Sequence, residues 1–430
     1  MEKRVFESLE EEIYRTTLSS GLTLMVVPKP EYHKVFGFMT TPFGSIQQWI
    51  KNSQTQEKHQ IPQGVAHFLE HKLFEDADGE DVFVQFQAQG ASANAFTSRR
   101  QTSYLFSSSL NVKENLLTLV DFVQSPSFSK EGVEKEKGII EQELHMYLDN
   151  PYFQMSQTLA ECLYPNHPVG HDIGGTVDAV MATTYEDLLK AYETFYAPSQ
   201  MALVVVGNVD PAQVHQWVKD NQNQKHFDTP DYEEVLEPVV EAPLPGKTMQ
   251  MEVSQPIVGY GVRLPQLTEN GRDLFKVQMV AELLMDLLFG PTSNNYHQWY
   301  QKGWVDENFG CMIHVKNPTH DWQFFASTDF ADDLCQEIQD VLTHWQDQED
   351  FNLEHFQALK KAHEGDLLQD LNSLEFIATK VTESVFEDYD YFEVLEVLQG
   401  IRLEDLSNYA DQYLRTDAIT RVQINPLEGD

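Results

Sequence analysis

The feature that most narrows the fold of this 430-residue chain is an order of elements that recurs about half a chain later. The stretch FSKEGVEKEKGIIEQELHMYLDNPYFQMSQTL (128–159) is paralleled by FNLEHFQALKKAHEGDLLQDLNSLEFIATKV (351–381), and TYEDLLKAYETFY (184–196) by RLEDLSNYADQYL (402–414). The offsets, 351 − 128 = 223 and 405 − 187 = 218, agree within five residues, which points to a duplicated domain and not to a short-period solenoid. Each half also carries strand patterns. GLTLMVVP, KVFGFMTTPFG, TSYLFSSSL and MALVVVGNV read as strands in the first, IVGYGVRLP and HDWQFFASTDF in the second, and RDLFKVQMVAELLMDLLFG as a long helix. The expected fold class is α+β: two homologous mixed α/β domains, each a largely antiparallel sheet packed against helices. Between them NQNQKHFDTPDYEEVLEPVVEAPLPGKTMQ (221–250) loses its periodicity and gathers prolines and acids, as a linker does. The expected domains are 1–235 and 236–430, each large enough for its own core.

Charge removes several function classes. Twenty-nine basic residues against 68 acidic ones give a formal charge of −39, which repels phosphate backbones and anionic membrane surfaces, so neither nucleic acid nor membrane is an expected partner. No stretch reaches eighteen apolar residues, and MEKRVFESLEEEIYRTT lacks the apolar centre of a secretory signal. Cys162, Cys311 and Cys335 form neither a disulfide framework nor a CxxC pair, and the expected compartment is the cytoplasm.

The chemistry concentrates in GVAHFLEHKLFE (64–75). Helical residues four apart lie about 40° apart around the axis, so His67 and His71 project from one face, close enough to share an ion. Neutral imidazoles suit zinc, and Glu70 beside them can take a proton from the attacking water instead of binding the metal. The order HxxEH is that of the inverzincins. A catalytic zinc needs a third protein ligand. The glutamate-rich helical run FSKEGVEKEKGIIEQELHMYLDN offers Glu136 and Glu143 two turns apart on one face, but Glu134 and Glu141 compete, and helix geometry alone does not choose among them. A second pair, His167 and His171 in HPVGH, is also four apart; Pro168 and Gly170 disfavour a helix there, so both are expected to be structural. His145 points away from the face Glu143 would use.

HFLEH followed some seventy residues on by EKEKGIIEQEL resembles the pitrilysin and insulin-degrading-enzyme family of zinc metallopeptidases, which includes the mitochondrial processing peptidases. GASANAFTSRRQTSY (90–104), HPVGHDIGGTVDAV (167–180) and FYAPSQMALVVVGNVD (195–210) extend the resemblance, and HKLFED after the motif is similar to the short bacterial members with two such domains per chain. The resemblance implies that each chain forms half of a clamshell chamber, with the metal site in domain 1–235 and none in 236–430. It implies a zinc ion (Zn2+) held by His67, His71 and Glu143, Glu70 as general base, Glu136 orienting the site from behind, and Asn94 and Ala95 meeting the peptide backbone.

The same resemblance implies an arginine and a tyrosine in the second half that support the oxyanion. In YHQWYQKGWVDENFG, Tyr300 stands where the arginine would fall and Asp306 where the tyrosine would fall; a phenol is uncharged and a carboxylate repels an oxyanion. The expectation is therefore a zinc endopeptidase acting on short unstructured peptides as the catalytic chain of a heterodimer, a non-catalytic paralogue supplying the pair. A homodimer and a self-sufficient enzyme that uses Tyr296 are the other arrangements. The rival from a different class is a non-enzymatic assembly or scaffold subunit of the same fold.

Overall fold

The computed structural model describes residues 1–75 and 81–427 and divides into two compact units. Asp76, the last residue of HKLFED, lies outside the described residues. The first unit comprises Met1–His145, His171–Glu237 and Gln369–Glu393; the second comprises Met146–Gly170, Pro238–Leu368 and the chain from Val394 onward.

In the first unit, strands β1 (Glu2–Phe6), β2 (Glu11–Thr17), β3 (Thr23–Pro28), β4 (Val35–Thr41), β7 (Ala91–Thr97), β8 (Thr102–Ser108) and β9 (Ala202–Gly207) form a seven-stranded sheet in the order β1-β2-β3-β9-β4-β8-β7. Only β3 and β9 pair in parallel within it, Val26 opposite Val205. β4 and β9 are buried at every position, as expected of strands covered on both faces. The helix Leu374–Phe386 packs on both, and Val112–Gln124 packs on β8 and β4. A small sheet of β5 (Trp49–Asn52), β6 (Lys58–Gln60) and β10 (Tyr232–Glu234) places β10, which falls inside the expected linker, against β5.

The second unit's sheet comprises β11 (Gly246–Met251), β12 (Ile257–Arg263), β13 (Gly310–Lys316), β14 (Thr319–Ser327) and β15 (Ile419–Pro426), in the order β11-β15-β12-β14-β13. Strand for strand this repeats β3-β9-β4-β8-β7, down to the single parallel pair β11–β15. The duplication suggested by the helix patterns is thus visible in strand connectivity, and the first unit adds β1 and β2.

The compact units differ from contiguous sequence halves. Helix Pro151–Leu163 belongs to the second unit, packing on β15 and β12, while Leu374–Phe386 belongs to the first. The fit is steric: a Cβ at Gly259 of β12 would stand 2.6 Å from Sδ of Met155, and one at Gly261 3.0 Å from Cδ1 of Leu163. An amphipathic pattern says that a helix covers something, not which sheet it covers. Among the described residues no helix is long and apolar enough to cross a membrane.

Candidate metal site

The motif helix, Val65–Leu73, buries Val65, Phe68, Leu69 and Leu73 in the first unit's core, which leaves His67, Glu70 and His71 on its other face. Its start is pinned by close backbone approach. Gly64 (φ 82°) has no room for a Cβ, which would fall 2.2 Å from the Gly174 carbonyl oxygen, and at Gly175 (φ 78°) a Cβ would fall 2.7 Å from the Gln63 carbonyl carbon. The glycines of HPVGHDIGG therefore let that loop press against the helix that carries His67. The glutamate helix, Lys130–Leu148, buries Val133, Lys137, Ile140 and Leu144, a helical spacing that sets Glu136 and Glu143 together on an adjoining face.

These two helices bring three donors together. Nε2 of His67 and Nε2 of His71 are 3.3 Å apart, Nε2 of His71 is 3.4 Å from Oε2 of Glu143, and Nε2 of His67 is 3.8 Å from Oε1 of Glu143. Zinc bonds to nitrogen and oxygen of about 2.0–2.1 Å give a tetrahedron with edges of about 3.3–3.4 Å, so the spacing suits that ion. Among the described residues, His67, His71 and Glu143 are the His/Cys/Asp/Glu cluster able to hold a metal.

The protonation state of His67 agrees with such a donor set. Burial, reinforced by the neighbouring His71, pushes the His67 imidazole down to about 4, so it presents a lone pair at neutral pH. For His71 burial works in the same direction, but the hydrogen bond to Glu136 and the charges of Glu143 and Glu70 outweigh it and raise the group. His71 Nδ1 lies 3.1 Å from Oε1 of Glu136; with the proton on Nδ1, Nε2 is left free for a metal. That bond, and the nearby Lys72 ammonium, hold the Glu136 carboxyl below the usual carboxylate range despite its burial.

Glu70 lies beside the trio and outside it. Burial raises its carboxyl, offset in part by the Thr97 hydroxyl, which donates to Oε2 at 2.6 Å. Thr97, Ala95 and Ala93 are the partly buried alternate positions of β7, while Asn94 is exposed. β7 ends its sheet, so among the described residues one side of its backbone has no partner strand. A cavity of about 460 Å³ opens between β7 and the two helices, lined by Phe74, Phe83, Asn94, Ala95, Lys135 and Glu136 and reaching Glu70 and His71.

The other sequence candidates fall elsewhere. Glu134 pairs with Lys137 at 2.7 Å, and His145 is exposed. His167 is buried and its Nδ1 accepts from the Val169 amide, whereas His171 hydrogen-bonds the side chains of Gln48 and Gln63. In the second unit Tyr300 is 54% exposed, and Asp306 accepts from the Asn308 amide at 2.8 Å. Sequence reasoning passed over Thr97 and Lys72. The first could have been noticed as a polar residue on the inward alternation of a strand; the second stands out as a lysine on a helix whose neighbours Leu69 and Leu73 are core residues.

A repeated α+β unit whose first copy presents HxxEH and a distal glutamate to one point defines a known class, and comparison with other proteins agrees. Residues 40–177 match the model of the insulinase family, peptidase family M16, and residues 182–362 match that of the peptidase M16 inactive domain. The chain is 40% identical to YmfH of Bacillus subtilis strain 168, named as an uncharacterized zinc protease, over 98% of both chains. It is 32% identical to an M16-like peptidase from Alicyclobacillus acidocaldarius, whose crystal structure covers 97% of this chain and 99% of that one with a TM-score of 0.91. A protease from Helicobacter pylori, 19% identical, shares the fold over 97% of this chain and 100% of its own with a TM-score of 0.81. The chain belongs to peptidase family M16.

Proposed function

We propose that this chain is a zinc-dependent endopeptidase that hydrolyses short, unstructured peptides, with His67, His71 and Glu143 as metal ligands, Glu70 as general base and Glu136 orienting His71. The observation that carries this reading is the convergence of two imidazole nitrogens and one carboxylate at 3.3–3.8 Å, with Glu70 held alongside by Thr97. When bound, zinc polarises the scissile carbonyl and acidifies the attacking water. Glu70 removes that water's proton and later delivers it to the leaving amine, one of its oxygens tethered to Thr97 and the other free to work. An extended peptide adds to the open edge of β7 at Asn94 and Ala95 by main-chain hydrogen bonds that ignore its sequence, and the adjoining cavity takes a side chain.

Exposed Tyr300 and Asp306 supply no positive charge to a developing oxyanion, which supports placing the chain as the catalytic member of a heterodimer with a non-catalytic paralogue. The unpaired thiols of Cys162, Cys311 and Cys335 support a cytoplasmic setting. Zinc binding and cleavage of a panel of basic, acidic and neutral unstructured peptides, compared for the native chain and Glu70→Gln, test the reading. Equal zinc content with at least a hundredfold loss of cleavage, about the share that general-base catalysis supplies, is the expected result. Zinc bound without cleavage of any peptide, with the paralogue present, would instead favour the scaffold.

A further inference from the structure

Immediately after His71 stands a lysine with a side chain only 3% exposed, a rare place for an ammonium group. Lys72 pairs with Glu75 on one side, and on the other its Nζ lies 3.5 Å from Oε2 of Glu136. Glu136 uses its remaining oxygen, Oε1, for Nδ1 of His71. Two consecutive residues of the motif helix thus hold one carboxylate of the glutamate helix, one at each oxygen. The opposing helix makes room for this. A Cβ at Gly132, one turn before Glu136, would stand 2.9 Å from Oε2 of Glu75 and 3.2 Å from Nζ of Lys72.

We propose that Lys72 is a positioning residue for the metal site: it clamps Glu136, so that Glu136 holds His71 with Nε2 towards the ion and Glu143, two turns further on, stays in register with both imidazoles. The inference rests on the metallopeptidase reading. Two physical reasons carry it. A carboxylate engaged through one oxygen alone can rotate about its last bond, and the ammonium on the second oxygen stops that rotation. In addition, Glu70, Glu75, Glu136 and Glu143 gather around this site, and Lys72 is a fixed positive charge buried among them. Without it Glu136 faces Glu70 and Glu75 across a partly desolvated space with no countercharge between them, and their repulsion pushes the glutamate helix away from the motif helix and its histidines. Partners that orient a metal-bound histidine typically govern affinity by about 10- to 100-fold.

The test is a double-mutant cycle on zinc affinity, read by competition with a chromophoric chelator on the full chain, with unfolding of the metal-free protein followed in parallel. Lys72→Met is expected to weaken zinc binding by about tenfold or more, and to add nothing further in a Glu136→Gln background, because Lys72 acts through Glu136. Wild-type zinc affinity in Lys72→Met, or a loss that adds in full to that of Glu136→Gln, overturns the proposal. If the methionine variant does not fold, Lys72→Gln, which keeps a hydrogen-bond donor, carries the same cycle with the same outcomes. A native chain that binds no zinc defeats the metallopeptidase reading itself; a native chain that binds zinc beside a lysine variant that binds it equally well defeats this inference alone.

Discussion

Glu70 and Thr97 come from elements 27 residues apart and meet through one short hydrogen bond. Valine in place of Thr97 keeps the shape of the strand and removes the donor from a buried carboxylate. Such a bond to a charged group contributes about 1.5–3 kcal/mol, so kcat should fall by about tenfold or more with KM little changed, and Thr97→Ser should keep most of the rate; steady-state peptide hydrolysis checks this. A fall in KM affinity with kcat intact would assign Thr97 to binding. At this scale the sequence was legible where one helix sets the geometry. His67, Glu70 and His71 follow from a spacing of three and four. Glu143 was not singled out by helix geometry, because five glutamates share its run and only the position of a second helix distinguishes Glu143, beside the histidines, from Glu134, turned to Lys137. Thr97 and Lys72 were illegible for the same reason: their partners lie 27 and 64 positions away.

Among elements, the glycine contacts at the start of the motif helix make a direct prediction. At Gly175 an alanine would need positive φ and would collide with the Gln63 backbone, so Gly175→Ala should destabilise the first unit by about 1–3 kcal/mol and displace the helix bearing His67. Urea unfolding and zinc affinity measure the two effects. The second unit offers a test of pH dependence on a residue pair that belongs to no metal-ligand set. His363, on the helix Leu353–Asp370, bonds Asp286, on the helix Gly271–Phe289, at 2.6 Å, and this bond raises the imidazole above its ordinary value. A raised folded pKa means that the protonated form is favoured by folding. The contribution is therefore full below the unfolded value of about 6.5 and disappears as pH rises through the higher folded value. The stability difference between the native chain and His363→Ala should be largest near pH 6 and shrink towards pH 9, as followed by urea unfolding; a difference that grows with pH would contradict the assignment. Strands such as Ala202–Gly207 and helices such as Gly271–Phe289 were readable from apolar runs and periodicity. Which sheet Pro151–Leu163 and Leu374–Phe386 would cover was not, because an apolar stripe carries no address.

For the whole molecule, duplication was the most legible property, and strand order gives it a physical form, five strands connected alike in each unit. The first copy carries the histidine motif, whereas the second has Tyr300 and Asp306 where the resemblance implies oxyanion support. On the proposed heterodimer, the isolated chain loaded with zinc should cleave unstructured peptides slowly, and adding a paralogue with the arginine and tyrosine should accelerate it by about a hundredfold, the usual value of an oxyanion donor. A rate unchanged by the paralogue would remove the heterodimer and keep the peptidase. The central claim lies beneath all of these: one divalent ion held between two helices of the first unit. Anomalous diffraction at the zinc edge from crystals of the purified chain tests it most directly. The account predicts one peak per chain within about 2.0–2.2 Å of Nε2 of His67, Nε2 of His71 and a carboxylate oxygen of Glu143; zinc at other residues, with these three side chains apart and metal-free, would contradict it.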